Sequence, residues 1–268
     1  MVIEVPVASY EQQQRATGEF ALLSARGISK NFGAVRALTG VDLDIPAGQV
    51  TALAGDNGAG KSVLIKCFAG IYQPDEGQLY FEGRRVRIRH PADASALGIA
   101  TVYQDLALCD NLDVVQNLFL GRELTHAGVL DESRMESAAE ETMHRLSVTT
   151  LTSLRRKVGS LSGGQRQAVA IAKALLWQAK LVILDEPTAA LGVTQTRIVL
   201  DLVRRLAANG IAVLMISHNM PDVFRTADRI AVLYMGQLVA ARPTSEFDMQ
   251  TVVSLMTWGG AEHDAVAV

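Results

Sequence analysis

The sequence predicts an α/β fold built on a parallel sheet that is covered on both faces. Two nearly continuous apolar runs, LVILDEP (181–187) and IAVLMISH (211–218), enclose TQTRIVLDLVRRLAANG, a helix-patterned stretch that ends in Asn-Gly. That is a strand–helix–strand unit, and strands apolar on both sides need cover on both faces. A third apolar run, VTALAG (50–55), leads through a glycine-rich loop into a helix from about Gly60 to Ala69. Residues from about 105 to 176 differ in kind and read as a block of helices inserted between strands.

Taken in order, residues 1–20 are polar and aperiodic after Pro6 and read as a loose extension. Between 21 and 46 the pattern is short strands with turns. GQLYFEG and RVRIR form a hairpin of strands, and IATVYQ is another strand. The helical block contains DVVQNLFLG, DESRMESAAEETMHRLSV and GGQRQAVAIAKALLW. Asp131 and the glutamate after it suit a helix N-terminus. RIAVLYMGQLVA closes the sheet as a strand pair around Gly236, TSEFDMQTVVSLM is a last helix, and the tail from Gly259 (259–268) is loose. The body of the chain is one unit, 21–258, with the helical subdomain at about 105–176.

The composition is that of a soluble globular protein: 268 residues, 49% hydrophobic, 20% charged, net charge -3. A nucleic-acid-binding chain shows a basic stripe. The one basic run, RRVRIRH (84–90), alternates with Val86 and Ile88 and reads as a half-buried strand edge, so no nucleic-acid partner is expected. Cys67 and Cys109 lack metal-ligand spacing, which fits a reducing compartment. Cys67 shares a helical face with Leu64, Phe68 and Ile71 and reads as a core thiol. No apolar run approaches the length of a membrane span, and MVIEVPVASYEQQQ is no secretory signal. The protein is expected in the cytoplasm, with any membrane role supplied by a partner.

GDNGAGKS has the form G-x-x-x-x-G-K-[ST], after a strand and before a helix. This is the context a phosphate-binding P-loop requires. Gly55, Asp56, Asn57, Gly58, Ala59, Gly60, Lys61, Ser62 and Val63 make up the loop and the start of its helix. Its glycines let backbone N–H groups face phosphate oxygens, Lys61 supplies a point charge to the β and γ phosphates, and the Ser62 hydroxyl suits Mg²⁺. The chemistry also needs carboxylates on a neighbouring strand. Asp185, at the end of LVILDEP, is placed to hold Mg²⁺ directly or through water, and Glu186 to polarise an attacking water as general base. His218 ends an apolar strand. A lone histidine there is usually structural or exposed, but ligands bind beyond the carboxyl ends of parallel strands, so a functional role stays open.

LSGGQRQ (161–167) offers a second cradle: Ser162, Gly163, Gly164 and Gln165 at a helix N-terminus, with no lysine in the motif. It lies in the helical block, away from the core sheet. Two chains packed head-to-tail under a twofold axis would let each such cradle serve the nucleotide on the other chain's P-loop.

The combination GDNGAGKS, LSGGQ, LVILDEPTAAL and ISH resembles the ATPase subunit of ATP-binding cassette (ABC) transporters, over about 21–256. The resemblance implies a P-loop NTPase with a RecA-like core, an antiparallel β subdomain and an inserted α-helical subdomain, working on ATP with Mg²⁺. It implies that Phe32 stacks on adenine and that Gln104 senses Mg²⁺ and the attacking water and links to a permease. It implies further that His218 is the switch histidine near the γ-phosphate, and that Ser162 and Gly164 reach the partner's γ-phosphate. One position departs: Gly192 stands where the family commonly has an aspartate that couples the two sites. FGAVRAL, VYQDLALCDNLDVVQNLFLGRE and ISHNMPDVF resemble monosaccharide importers of the ribose, xylose and fructose type. The expected function is therefore the ATP-hydrolysing subunit of a bacterial importer. It would work as a homodimer on the inner face of the membrane, with an integral membrane permease and, indirectly, a periplasmic or extracellular sugar-binding protein. The alternative is an ABC-type ATPase of nucleic acid or the ribosome; those carry paired cassettes with a basic linker or a long coiled-coil insertion, which this chain lacks.

Overall fold

The computed structural model describes residues 21–260, apart from 147, 149, 150 and 152. The extension 1–20 and most of the expected tail lie outside the described residues. The central sheet has six strands in the order β12-β11-β3-β10-β9-β6. These are β3 (Val50–Ala54), β6 (Ile99–Val102), β9 (Leu181–Asp185), β10 (Ala212–Ile216), β11 (Arg229–Tyr234) and β12 (Gln237–Pro243). All neighbours are parallel except the β11–β12 pair around Gly236.

Side chains along these strands alternate between two cores. Leu53, Leu181, Ile183, Leu214, Ile216 and Leu233 face one, and Ala52, Val182, Leu184, Val213, Met215 and Val232 the other. This is the two-sided burial that continuous apolar strands predict. The first core is closed by α1 (Lys61–Phe68) and by a four-stranded antiparallel sheet, β2-β1-β4-β5. Its strands are β1 (Ala21–Phe32), β2 (Val35–Pro46), β4 (Glu76–Phe81) and β5 (Arg84–Val86). The second core is closed by α3 (Val114–Phe119), α4 (Glu132–Arg145), α5 (Gly163–Leu176) and α6 (Val193–Ala208). Side chains start these helices where the sequence suggests: Asp113 forms a capping box with Gln116, and Asp131 accepts from the Arg134 N–H. The last helices are α7 (Met220–Thr226) and α8 (Met249–Trp258).

Several expectations are corrected. Strands β1 and β2 are 12 residues each, not short, because they pair with each other along their length through several register shifts. Pairing in β5 stops at Val86; Ile88 is buried, but Arg87–Arg89 carry on without a strand partner. The helix α2 (Pro91–Leu97) and the small hairpin β7 (Thr125–His126) with β8 (Val129–Leu130) lack a clear periodic signal over such short lengths. The last helix begins at Met249, capped by Asp248, rather than at Thr244. Ile71 lies beyond α1 and is exposed, so it does not share the buried face of Cys67, which is a fully buried thiol. Burial pushes that thiol up to about 11, as an inert core cysteine requires.

Candidate active site

The P-loop joins β3 to α1 at the carboxyl edge of the sheet. The neighbouring-strand expectation for Asp185 needs correction: β10 lies between β3 and β9. Register brings the parts together nonetheless. Ile216 pairs with Leu53 on one side and with Asp185 on the other, so the ends of the three strands are level. At and beyond that line Asp185 at the end of β9, Glu186 after it, the loop after β3 and His218 after β10 occupy one edge.

The loop's shape excludes side chains. A Cβ on Gly60, whose φ is +103°, would lie 2.6 Å from the Ala37 carbonyl oxygen, and one on Gly55 would collide with the Leu233 carbonyl. Gly60 occupies the position before α1 with no side-chain cap. Within the loop the Ala59 N–H donates to the Asp56 carbonyl, the Asn57 N–H to the Asp56 carboxylate, and the Val63 N–H to the Gly60 carbonyl. Among the described residues no oxygen accepts from the N–H groups of Gly60, Lys61 and Ser62, and the Ser62 side chain is exposed. Lys61 is buried and turns its ammonium onto the loop, donating to the Gly55 carbonyl at 2.7 Å and the Asp56 carbonyl at 2.9 Å.

Burial lowers the Lys61 ammonium below its ordinary value, while Glu186, Asp56 and Asp185 pull the other way. Burial likewise raises the Asp185 carboxyl, reinforced by Glu186 and opposed by Lys61 and Lys66. Both charges are short of solvation, and each lies in the other's field. A polyphosphate at Lys61 and a divalent cation at Asp185 would favour the charged form of both.

Glu186 adopts the left-handed conformation, φ 49°, held by its N–H donating to the Ile216 carbonyl at 3.0 Å. A non-glycine residue there is strained, and such strain clusters at functional sites. Its Oε1 lies 2.9 Å from His218 Nδ1, a charge-assisted bond when the ring nitrogen carries the proton. Gln104, exposed just beyond β6, lines a cleft of about 410 Å³ together with Glu186, Gly163, Arg166 and Leu191. None of residues 55–63 lines that cleft.

Ser162 begins α5. Its N–H donates to Gln165 Oε1 at 3.0 Å and its hydroxyl accepts from the Gln165 N–H at 3.4 Å, so the pair forms a capping box. The S-x-x-Q spacing within the motif is the sequence signal of this box. Gly163 and Gly164 pack against Leu191 and Gln195, on either side of Gly192, the residue that precedes α6, and Arg166 is ion-paired with Asp110. Phe32 ends β1, 43% exposed, with its ring against Tyr72, a contact no motif indicates.

A P-loop on a parallel sheet, with a carboxylate pair and a histidine at the same carboxyl edge, defines a P-loop nucleotide-binding protein. The comparisons narrow this. Residues 38–189 match the ABC transporter family. The chain is 45% identical over 236 residues to the xylose/arabinose import ATP-binding protein XylG of Sulfolobus acidocaldarius, covering 88% of this chain and 94% of the relative. It is 42% identical to the fructose import ATP-binding protein FrcA of Rhizobium meliloti, again covering 88% and 94%. Its fold is similar to the crystal structure of a nucleotide-free ATP-binding cassette from an ABC transporter, with a TM-score of 0.77, 31% identity, and 87% of this chain and 95% of the other covered. The chain belongs to the ABC transporter ATP-binding family and is an ATPase of that family.

Proposed function

We propose that this chain is the ATP-hydrolysing subunit of an ABC importer, working on the inner face of the membrane to energise uptake of a monosaccharide through a separate permease. The Glu186–His218 pair, in the field of Lys61 and Asp185, is the observation that carries the reading. Gly55–Val63 cradle the phosphates, with Lys61 opposite the β and γ groups. Ser62, Asp185 and Gln104 are oxygen donors of the kind that hold Mg²⁺ with phosphate and water. Bound there, Mg²⁺ would draw charge from the γ-phosphate. Glu186 accepts the proton of the attacking water, and His218 holds that carboxylate in place from Nδ1.

Gly192 carries no carboxylate to link two sites, but the hydrolytic residues are complete within one edge. Ser162, Gly163, Gly164 and Gln165 serve the nucleotide of a second copy in a head-to-tail homodimer. A cleft of about 350 Å³ between α2 and α5, lined by Tyr103, Leu106, Arg122, Lys173 and Trp177, suits a permease segment. The named sugars of the relatives support the substrate class, and an external sugar-binding protein would deliver it. No helix of the described residues is long and apolar enough to cross a membrane, so the permease supplies the span. The direct test is Glu186→Gln: ATP binding retained and turnover slowed about 10²–10⁴-fold, the usual contribution of a general base. Turnover at the parent rate would remove Glu186 from that role. Copurification with a polytopic membrane protein tests the transport assignment.

A further inference from the structure

Phe32 does not stand alone. Its ring meets Tyr72 with centroids 5.1 Å apart and planes at 69°, an edge contact that covers at most one face of Phe32. Tyr72 lies just past α1, where its N–H and that of Ile71 both donate to the Lys66 carbonyl. Three residues on, the Asp75 carboxylate receives the Lys30 ammonium at 2.7 Å and the Asn31 N–H at 2.6 Å, the two residues directly before Phe32. The Asp75 N–H donates back to the Ser29 carbonyl at 2.9 Å. Lys30 Nζ also lies 5.6 Å from the Phe32 ring centroid, and Lys66 Nζ 5.5 Å from that of Tyr72. The end of β1 is therefore tied at backbone, charge and ring to the arm that leaves the phosphate-loop helix.

We infer that Tyr72 and Asp75 are positioning residues for base recognition: they set the Phe32 ring and tie it to the helix that carries the phosphate loop. The inference rests on the reading of Phe32 as the adenine platform. A phenylalanine has no hydroxyl to fix its ring by hydrogen bonding, so packing must do it. Edge contacts favour one orientation because the ring edge is positive and its face negative. Because the arm leads directly out of α1, these contacts tie the base platform to the element that carries the phosphate cradle.

Calorimetric titration of the full chain with ATP, and separately with inorganic tripolyphosphate, tests this. Tripolyphosphate reports the cradle without the base. Tyr72→Leu should weaken ATP about three- to tenfold, the range expected for one aromatic pair, and leave tripolyphosphate unchanged. Tyr72→Phe keeps the ring and should restore ATP affinity. Asp75→Ala should act in the same direction as Tyr72→Leu. In a Phe32→Ala background, which itself weakens ATP, Tyr72→Leu should add nothing, since it acts through that ring. If Phe32→Ala weakens ATP but Tyr72→Leu does not, the positioning role is overturned and the platform stands. Equal loss of ATP and tripolyphosphate would make Tyr72 a support of the cradle, which also overturns it. Unchanged ATP affinity in Phe32→Ala would remove the platform itself and the inference with it.

Discussion

The two glycine-rich helix starts of this chain, at Gly60 and at Ser162, look alike in sequence and differ in how they are built. The first has no side-chain cap, a left-handed glycine wedged against backbone, and a buried lysine folded onto its carbonyls. The second caps itself: Ser162 and Gln165 satisfy each other's N–H groups, and its glycines lie against side chains. A helix start that keeps its donors open and adds a cation is suited to hold a polyphosphate by itself. One that spends two donors on a capping box, and has no lysine, is suited to touch an anion already held elsewhere. In the proposed homodimer this difference is a division of labour, the first cradle holding a nucleotide and the second meeting the one held by the other copy.

Substitutions can break or sharpen that contrast. Lys61→Ala should have the largest effect, weakening ATP by about a hundredfold, because a charge-assisted bond is worth up to about 3 kcal/mol. Titration with ATP measures it, and unchanged affinity would dismiss the first cradle. Alanine at the glycines separates the two by stability. Gly60→Ala forces a side chain into a positive-φ position against the Ala37 carbonyl and should cost about 2 kcal/mol or more. Gly163→Ala meets only side-chain ends, Leu191 at 2.7 Å and Gln195 at 3.5 Å, and gains helix propensity, so it should cost less than about 1 kcal/mol. Denaturant midpoints of the two variants give the comparison, and equal losses would undo it.

Smaller effects follow. Ser162→Ala removes the cap and should destabilise by about 1 kcal/mol with ATP affinity of the monomer intact. Asp185→Asn removes a carboxylate whose folded pKa is raised by burial and by Glu186. Such a group contributes stability at low pH and loses it as pH rises through the folded value. The variant should therefore melt slightly higher than the parent at neutral pH, and the gain should shrink as the pH is lowered into the carboxylate range. A gain independent of pH would point to packing rather than charge.

Much of this was legible beforehand. The apolar runs of β3, β9 and β10 announced a two-faced sheet, and the loop and carboxylate motifs fell at its carboxyl edge. Strand order was not legible: nothing in LVILDEP or IAVLMISH says which of them lies next to β3, so the interposed β10 had to be seen. The Phe32–Tyr72 contact was hidden for a related reason, since it joins residues far apart in the chain through an antiparallel sheet of irregular register. The pairing of Ser162 with Gln165 is local and is carried by the S-x-x-Q spacing alone. Short elements such as α2 and the β7–β8 hairpin hold too few residues for a period to show.

In the proposed homodimer the second cradle acts on a second copy's nucleotide. Size-exclusion chromatography with light scattering, on Glu186→Gln and on Glu186→Gln/Ser162→Arg, tests it most directly. Moving a dimer from minor to dominant takes about 5.5 kcal/mol of differential binding, which two sandwiched nucleotides could share. ATP should dimerise the first protein and ADP should not, because the γ-phosphate is what the partner helix start receives. The second protein should still bind ATP, its own P-loop being untouched, and remain a monomer. Dimerisation of the double variant by ATP as readily as its parent would contradict the account.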